Sequence, residues 1–135
     1  MNKKEIIEYL IEVFSDIDIH PRLVSEVVSK IVGSGYEAKF FALLVARLTF
    51  LLEHGANAIN LHKEYECVED GIYSMHVSSA PFNIRILYAF FPDGSPTLLL
   101  AFYERGGKKK TDYTSKIPTA RRRFSERQKE YRNEK

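Results

Sequence analysis

Lysines, a double glycine and one phenol are gathered in a short stretch of this chain, Phe102 to Arg123. Gly106-Gly107 lead into Lys108, Lys109 and Lys110, Tyr113 follows, and Arg121, Arg122 and Arg123 come after it. Cations close to an aromatic hydroxyl suit gripping a phosphate backbone and moving protons beside it. A solvated turn before a charged helix face has the same composition, and lysine runs are usually that. Two upstream residues bear on the choice. Arg85 lies between Ile84 and Ile86 in an alternating run, so it points to the face opposite theirs. There its planar fork is a preorganised phosphate clamp or a solubilising edge charge. His76 alternates with Met75 and Val77 and shares a face with Ser74. It is a candidate for proton transfer, although a lone histidine is more often structural. Tyr113 either anchors the last helix in the core or acts as a phenol whose ionised form the lysines stabilise.

Other chemistries find no support. Gly106-Gly107-Lys108 lacks the GxxxxGK[ST] spacing of a phosphate-binding loop. No HExxH, CxxC or paired-carboxylate motif occurs, so neither a metal nor a cofactor is expected. Cys67 is the single cysteine, which excludes an internal disulfide. The chain has 135 residues, 44% hydrophobic and 28% charged, enough for one ordinary globular core. Its net charge of +2 conceals a division. Residues 1–70 hold 7 Lys+Arg against 12 Asp+Glu, and residues 71–135 hold 13 against 6. The basic half points to an anionic partner, nucleic acid first and an acidic protein surface second. The densest apolar run, Phe40–Leu52, falls short of the ~20 residues of a membrane span and contains Arg47. Glu5, Glu8 and Glu12 spoil a signal-peptide reading of the N-terminus. The expected location is cytoplasmic, away from membranes.

These side chains need elements to position them. Ile6, Ile7, Leu10, Ile11 and Phe14 recur at helical spacing, predicting a helix over residues 3–14. A second helix is predicted over Pro21–Val32, with the proline in its first turn. A third, Tyr36–His54, carries a broad apolar stripe that implies burial against a sheet, and Gly55 ends it. In that stripe Arg47 reads as a snorkelling or edge residue. Residues 56–70 read as a connection. From Gly71 the period becomes two, giving strands at Ile72–Val77, Phe82–Phe91 and Leu98–Tyr103. Thr114 or Ser115 caps a last basic helix with Ile117, Ala120, Phe124 and Tyr131 on its inner face. The expected fold is α+β, with helices on one face of a small three-stranded antiparallel meander.

Five pieces of this pattern occur together in order: GIYSMH at Gly71–His76, IRILY at Ile84–Tyr88, LLLAFYER at Leu98–Arg105, the lysines, and Ile117–Ala120–Arg123. With Glu53–Asn57 after the long helix, they resemble the RelE/HigB superfamily of bacterial and phage-borne toxins from type II toxin–antitoxin modules. The resemblance covers about residues 35–131. It divides the chain into an N-terminal helical extension, 1–34, and a toxin domain, 35–135, within one compact unit. It implies an endoribonuclease, an mRNA interferase that cuts ribosome-associated mRNA without a metal and so inhibits translation. The 2′-hydroxyl attacks the adjacent phosphorus and leaves a 2′,3′-cyclic phosphate. On that resemblance Arg85 grips the scissile phosphate, Lys108 or Lys109 stabilises its charge, and Tyr113 or His76 handles protons. Arg105, Lys110, Arg121, Arg122 and Arg123 hold RNA backbone, a salt-sensitive contact. The implied partners are mRNA, the ribosome and a cognate antitoxin, a small helix-turn-helix protein. His76 stands where the family carries arginine, and Glu104-Arg105 replace a Lys-Lys pair. The resemblance also leaves open the superfamily's ParE branch, a gyrase inhibitor, and the basic face fits a third reading, a non-enzymatic nucleic-acid- or protein-binding module.

Overall fold

Asn2 opens the first helix through a capping box: its side chain accepts from the Glu5 N–H while the Glu5 carboxylate accepts from the Asn2 N–H. The computed structural model describes residues 2–104 and 109–133, and of 109–112 the backbone alone. Helix α1 (Lys3–Val13) buries Ile6 and Leu10. The break expected before Pro21 contains a two-residue strand, β1 (Asp18–Ile19). Helix α2 (Leu23–Ile31) starts two residues beyond Pro21, so the proline belongs to the preceding turn. Helix α3 (Glu37–His54) ends at Gly55, whose φ of +54° halts the helical path. A single 3₁₀ turn (Gly55–Asn57) and a short helix, α4 (Ala58–Leu61), follow. Strands β2 (Tyr65–Glu69), β3 (Ile72–Ser79), β4 (Phe82–Phe90) and β5 (Pro96–Tyr103) precede the last helix, α5 (Lys109–Asn133).

The protein is α+β, and its sheet is larger than the three-stranded meander the periodicity suggests. Five strands lie in the order β1-β5-β4-β3-β2, with β1 parallel to β5 and the other pairs antiparallel. β2 was hidden in the expected connection because YECVE has no clean alternation of apolar and polar residues. β1 is too short to carry any period. Helices cover both faces, not one. Phe40, Leu44, Leu48 and Leu51 of α3 join α1 and α2 against Met75, Val77, Ile84, Ile86 and Tyr88. On the other face, Tyr113 and Ala120 of α5 pack with Ile72, Leu87, Leu99 and Phe102. The first 34 residues share the main core rather than standing apart from it.

Helix α5 begins before the expected Thr114 or Ser115 cap and runs through Pro118. Its second half is held by ion pairs that the sequence did not foretell. Arg123 donates to Glu26 Oε1 at 2.9 Å and to the Leu99 carbonyl at 2.9 Å, and Glu26 also accepts from the Ala101 N–H at 3.1 Å. Arg127 reaches Asp18 at 3.0 and 2.5 Å, and His20 Nε2 lies 2.7 Å from Glu126 Oε1. Through these contacts α2 and β1 dock the helix that carries Tyr113.

Between β2 and β3 the chain reverses in two residues, and Gly71 takes φ +79° with nothing within 4 Å of where a Cβ would stand. Gly71→Ala is therefore expected to cost about 1–2 kcal/mol from conformation alone. Denaturant unfolding checks it; a change below a few tenths of a kcal/mol would remove the argument.

Candidate functional site

Register brings the chemistry together on the face that α5 covers. Glu66 of β2 pairs with Ser74 of β3, and His76 of β3 pairs with Arg85 of β4. Side chains of paired residues share a face, so Glu66, Ser74, His76 and Arg85 crowd one region of the sheet. Tyr113 reaches it from the first turns of α5. Its hydroxyl lies 2.8 Å from Ser74 Oγ and 3.4 Å from His76 Nε2. The His76 ring sits between two carboxylates, with Nε2 3.0 Å from Glu66 and Nδ1 3.6 Å from Glu64. Its backbone is fixed as well: the N–H donates to the Glu64 carbonyl at 2.8 Å, and Arg47 Nε donates to its carbonyl at 2.9 Å. Arg47 thereby ties α3 to β3, a more specific role than snorkelling.

Arg85 does not face solvent. Only 9% exposed, it donates through Nε to Glu104, itself 8% exposed, and its Nη1 lies 3.4 Å from Ser78 Oγ. Glu104 is fixed in turn by Asn83, whose carbonyl accepts from the Glu104 N–H at 2.9 Å and whose side chain donates to the Glu104 carbonyl at 3.1 Å. The guanidinium is thus rigidly aimed, but it carries a carboxylate of its own.

Tyr113 is 6% exposed, and burial pushes its phenol up to about 12. The Ser74 hydrogen bond pulls the other way, and the Glu66 carboxylate adds to the rise. The phenolate reading therefore yields to its opposite: near neutrality Tyr113 is a proton donor. A cleft of about 390 Å³ opens beside it, lined by Glu66, Cys67, Val68, Glu69, Thr114 and Ile117. Through this cleft Glu66 is the most accessible polar member of the cluster.

Of the residues the sequence nominated, the structure brings together His76, Arg85 and Tyr113. Arg105 and Lys108 lie outside the described residues. Lys109 and Lys110 start α5, and their side chains lie outside the described ones too. The three arginines are scattered. Arg121 bonds Glu69 at 2.9 and 2.5 Å and the Asp70 carbonyl at 2.8 Å on the surface. Arg122 is exposed on a different cavity, beside His20 and Glu126. Arg123 is buried in its pair with Glu26, so it braces the fold and does not present itself to RNA. Sequence reasoning missed Glu64, Glu66, Ser74 and Glu104 as site members. For Glu64 and Glu66 the pairing of β2 with β3 was the signal needed, and β2 was not legible; Ser74 and Glu104 enter only through their bonds to Tyr113 and Arg85.

The assembled group can hold an anion with Arg85, donate a proton from Tyr113 and relay one between His76 and Glu66. Among the described residues no His, Cys, Asp and Glu cluster is arranged to hold a metal. No protein-family model matches the chain, and neither a curated protein nor a solved structure matches it.

Proposed function

We propose that the chain is a RelE/HigB-like toxin that cleaves ribosome-bound mRNA without a metal. The observation that carries the reading is the convergence of His76, Arg85 and Tyr113 from two strands and a helix: the Tyr113 hydroxyl lies 3.4 Å from His76 Nε2, and Arg85 stands opposite His76 on the neighbouring strand. The lysine run supports it by position in the chain, because it joins Glu104 to Tyr113, both members of the cluster. In the proposed step the 2′-hydroxyl attacks phosphorus, forming the 2′-O–P bond as the P–O5′ bond breaks. The 2′-proton passes to the His76–Glu66 pair, and Tyr113 protonates the departing 5′-oxygen. Arg85, preset by Glu104, stabilises the phosphorane charge with its remaining N–H groups. The products are a 2′,3′-cyclic phosphate and a 5′-hydroxyl. An antitoxin that covers this cluster is the expected partner, and the cytoplasm the expected location.

One observation favours the non-enzymatic alternative, a nucleic-acid or protein binder: Arg85, Arg121, Arg123 and Arg127 are each paired with a carboxylate. Induced expression separates the two, with growth recorded and mRNA 5′ ends mapped beside an Arg85→Ala/Tyr113→Phe variant. The toxin reading expects growth arrest with new cleavages, both lost in the variant. Arrest without cleavage points instead to gyrase-type poisoning or to binding, and no arrest removes the toxin reading.

A further inference from the structure

Helix α3 has an outer face that its inner face does not explain. Ala38, Ala42, Val45, Ala46, Thr49 and Leu52 are exposed along it, Val45 by 40% and Leu52 by 47%. Between Lys39 and Glu53 the helix holds one ionisable residue, Arg47, and that guanidinium is turned in to the His76 carbonyl. The solvent side of a surface helix ordinarily carries charge. This side carries none for more than three turns, which marks it as a covered surface.

The charges that end the stripe say what covers it. Lys39 and Glu53 are fourteen residues apart, close to four whole turns, so they share a face about 21 Å from end to end. Ala46 is midway between them and exposed on the same stripe. Among the described residues Lys39 makes no ion pair, and Glu53 has only His54 Nε2, at 4.0 Å, as an ionic neighbour. A helix with opposite charges at equal distances from a small central residue is complementary to itself when reversed. We propose that a second copy of this chain packs antiparallel on the outer face of α3, about a twofold axis at Ala46. Two reciprocal Lys39–Glu53 pairs close the ends.

The apolar detail fits the same axis. Reversal about Ala46 brings Leu52 of one copy level with residue 40 of the other. There a groove of about 380 Å³ is lined by Lys39, Ala42, Leu43, Ala46, Ser78 and Ser79. Alanines at 38, 42 and 46 leave room for close approach of the two helices, as ridges spaced by four require. A parallel arrangement would instead set Lys39 against Lys39 and Glu53 against Glu53, so the charges select orientation. The contact is isologous and closes at two copies.

Sedimentation equilibrium of the full chain tests this over about 1–200 μM, a range in which a single helix pair must show its concentration dependence. The expected result is a reversible dimer. Ala46→Glu, which sets two carboxylates face to face on the axis, should make it monomeric with an unchanged circular dichroism spectrum, since the site is exposed. Lys39→Glu should weaken the dimer about tenfold, and Lys39→Glu/Glu53→Lys should return it to within about threefold of wild type. A monomer at every concentration overturns the proposal and leaves the face to a different chain. A dimer indifferent to Ala46→Glu, or one the charge swap fails to restore, overturns it equally.

Discussion

Arg85→Ala is expected to abolish cleavage and to lower stability by about 3–5 kcal/mol, because it leaves the Glu104 carboxylate buried without its guanidinium. The two effects have different origins, and a second variant separates them. Arg85→Leu/Glu104→Leu removes both charges and fills the space, so it should recover most of the stability and none of the activity. Arg85→Lys keeps the charge but loses the planar fork, and should retain a small part of the rate. Denaturant unfolding with a cleavage assay on the same preparations reads both quantities. The surface pair sets the scale for comparison: Arg121 and Glu69 are 46% and 47% exposed at the side chain, and Arg121→Ala should cost at most about 1 kcal/mol. An Arg85→Ala variant as mildly affected as Arg121→Ala would overturn the buried-pair account.

The second large effect belongs to Tyr113→Phe. The ring keeps its edge-on contact with Phe102, at 5.6 Å between centroids, so the fold should hold. Losing the hydroxyl strands the Ser74 Oγ, at about 1–3 kcal/mol. Losing the proton donor should lower the cleavage rate about 10²–10⁴-fold. The pH dependence follows from the raised phenol. Tyr113 gives up its proton near 12 in the folded chain against 10 for an ordinary tyrosine. Its contribution to stability is complete below pH 10 and is lost as the pH climbs toward 12. Tyr65, also pushed to about 12 by burial, acts in the same window. Unfolding measured between pH 9 and 12 should show wild-type stability falling, with the fall shallower in Tyr113→Phe. A rate unchanged in Tyr113→Phe would take the proton-donor role away from this residue.

Much of this architecture is legible in the sequence where one period runs unbroken. The apolar stripe of α3 and the alternation through β3 and β4 each have a single dominant spacing, and the elements appear where that spacing lies. The same alternation correctly puts His76 with Ser74 and sets Arg85 against Ile84 and Ile86. What escapes is whatever depends on pairing between distant segments. β1 has two residues and is a strand only because β5 offers it an edge. Glu66 looks like an ordinary charge on a polar connector until β2 is laid beside β3. The start of α5 was misjudged for a local reason: Thr114, Ser115 and Pro118 imitate a capped first turn, and tertiary packing of Tyr113 carries the helix further back. Arg123 was misjudged for a global one. Three consecutive arginines read as a uniform basic patch, yet the helical turn sends one inward to Glu26 and leaves two outside.

The docking of α5 on the first helices and strand has a consequence for the life of the molecule. Asp18 bonds to residues 79 and 109 positions away, and His20 to one 106 positions away. Contacts of such long range form slowly, and these must wait until β5 and then α5 have been made. The N-terminal third is therefore made before the sheet edge and the helix it binds. Tyr113, delivered by the last helix, is the final member to join His76 and Arg85. Under the proposed activity, a nuclease built in this order stays inactive until α5 has been made and has docked.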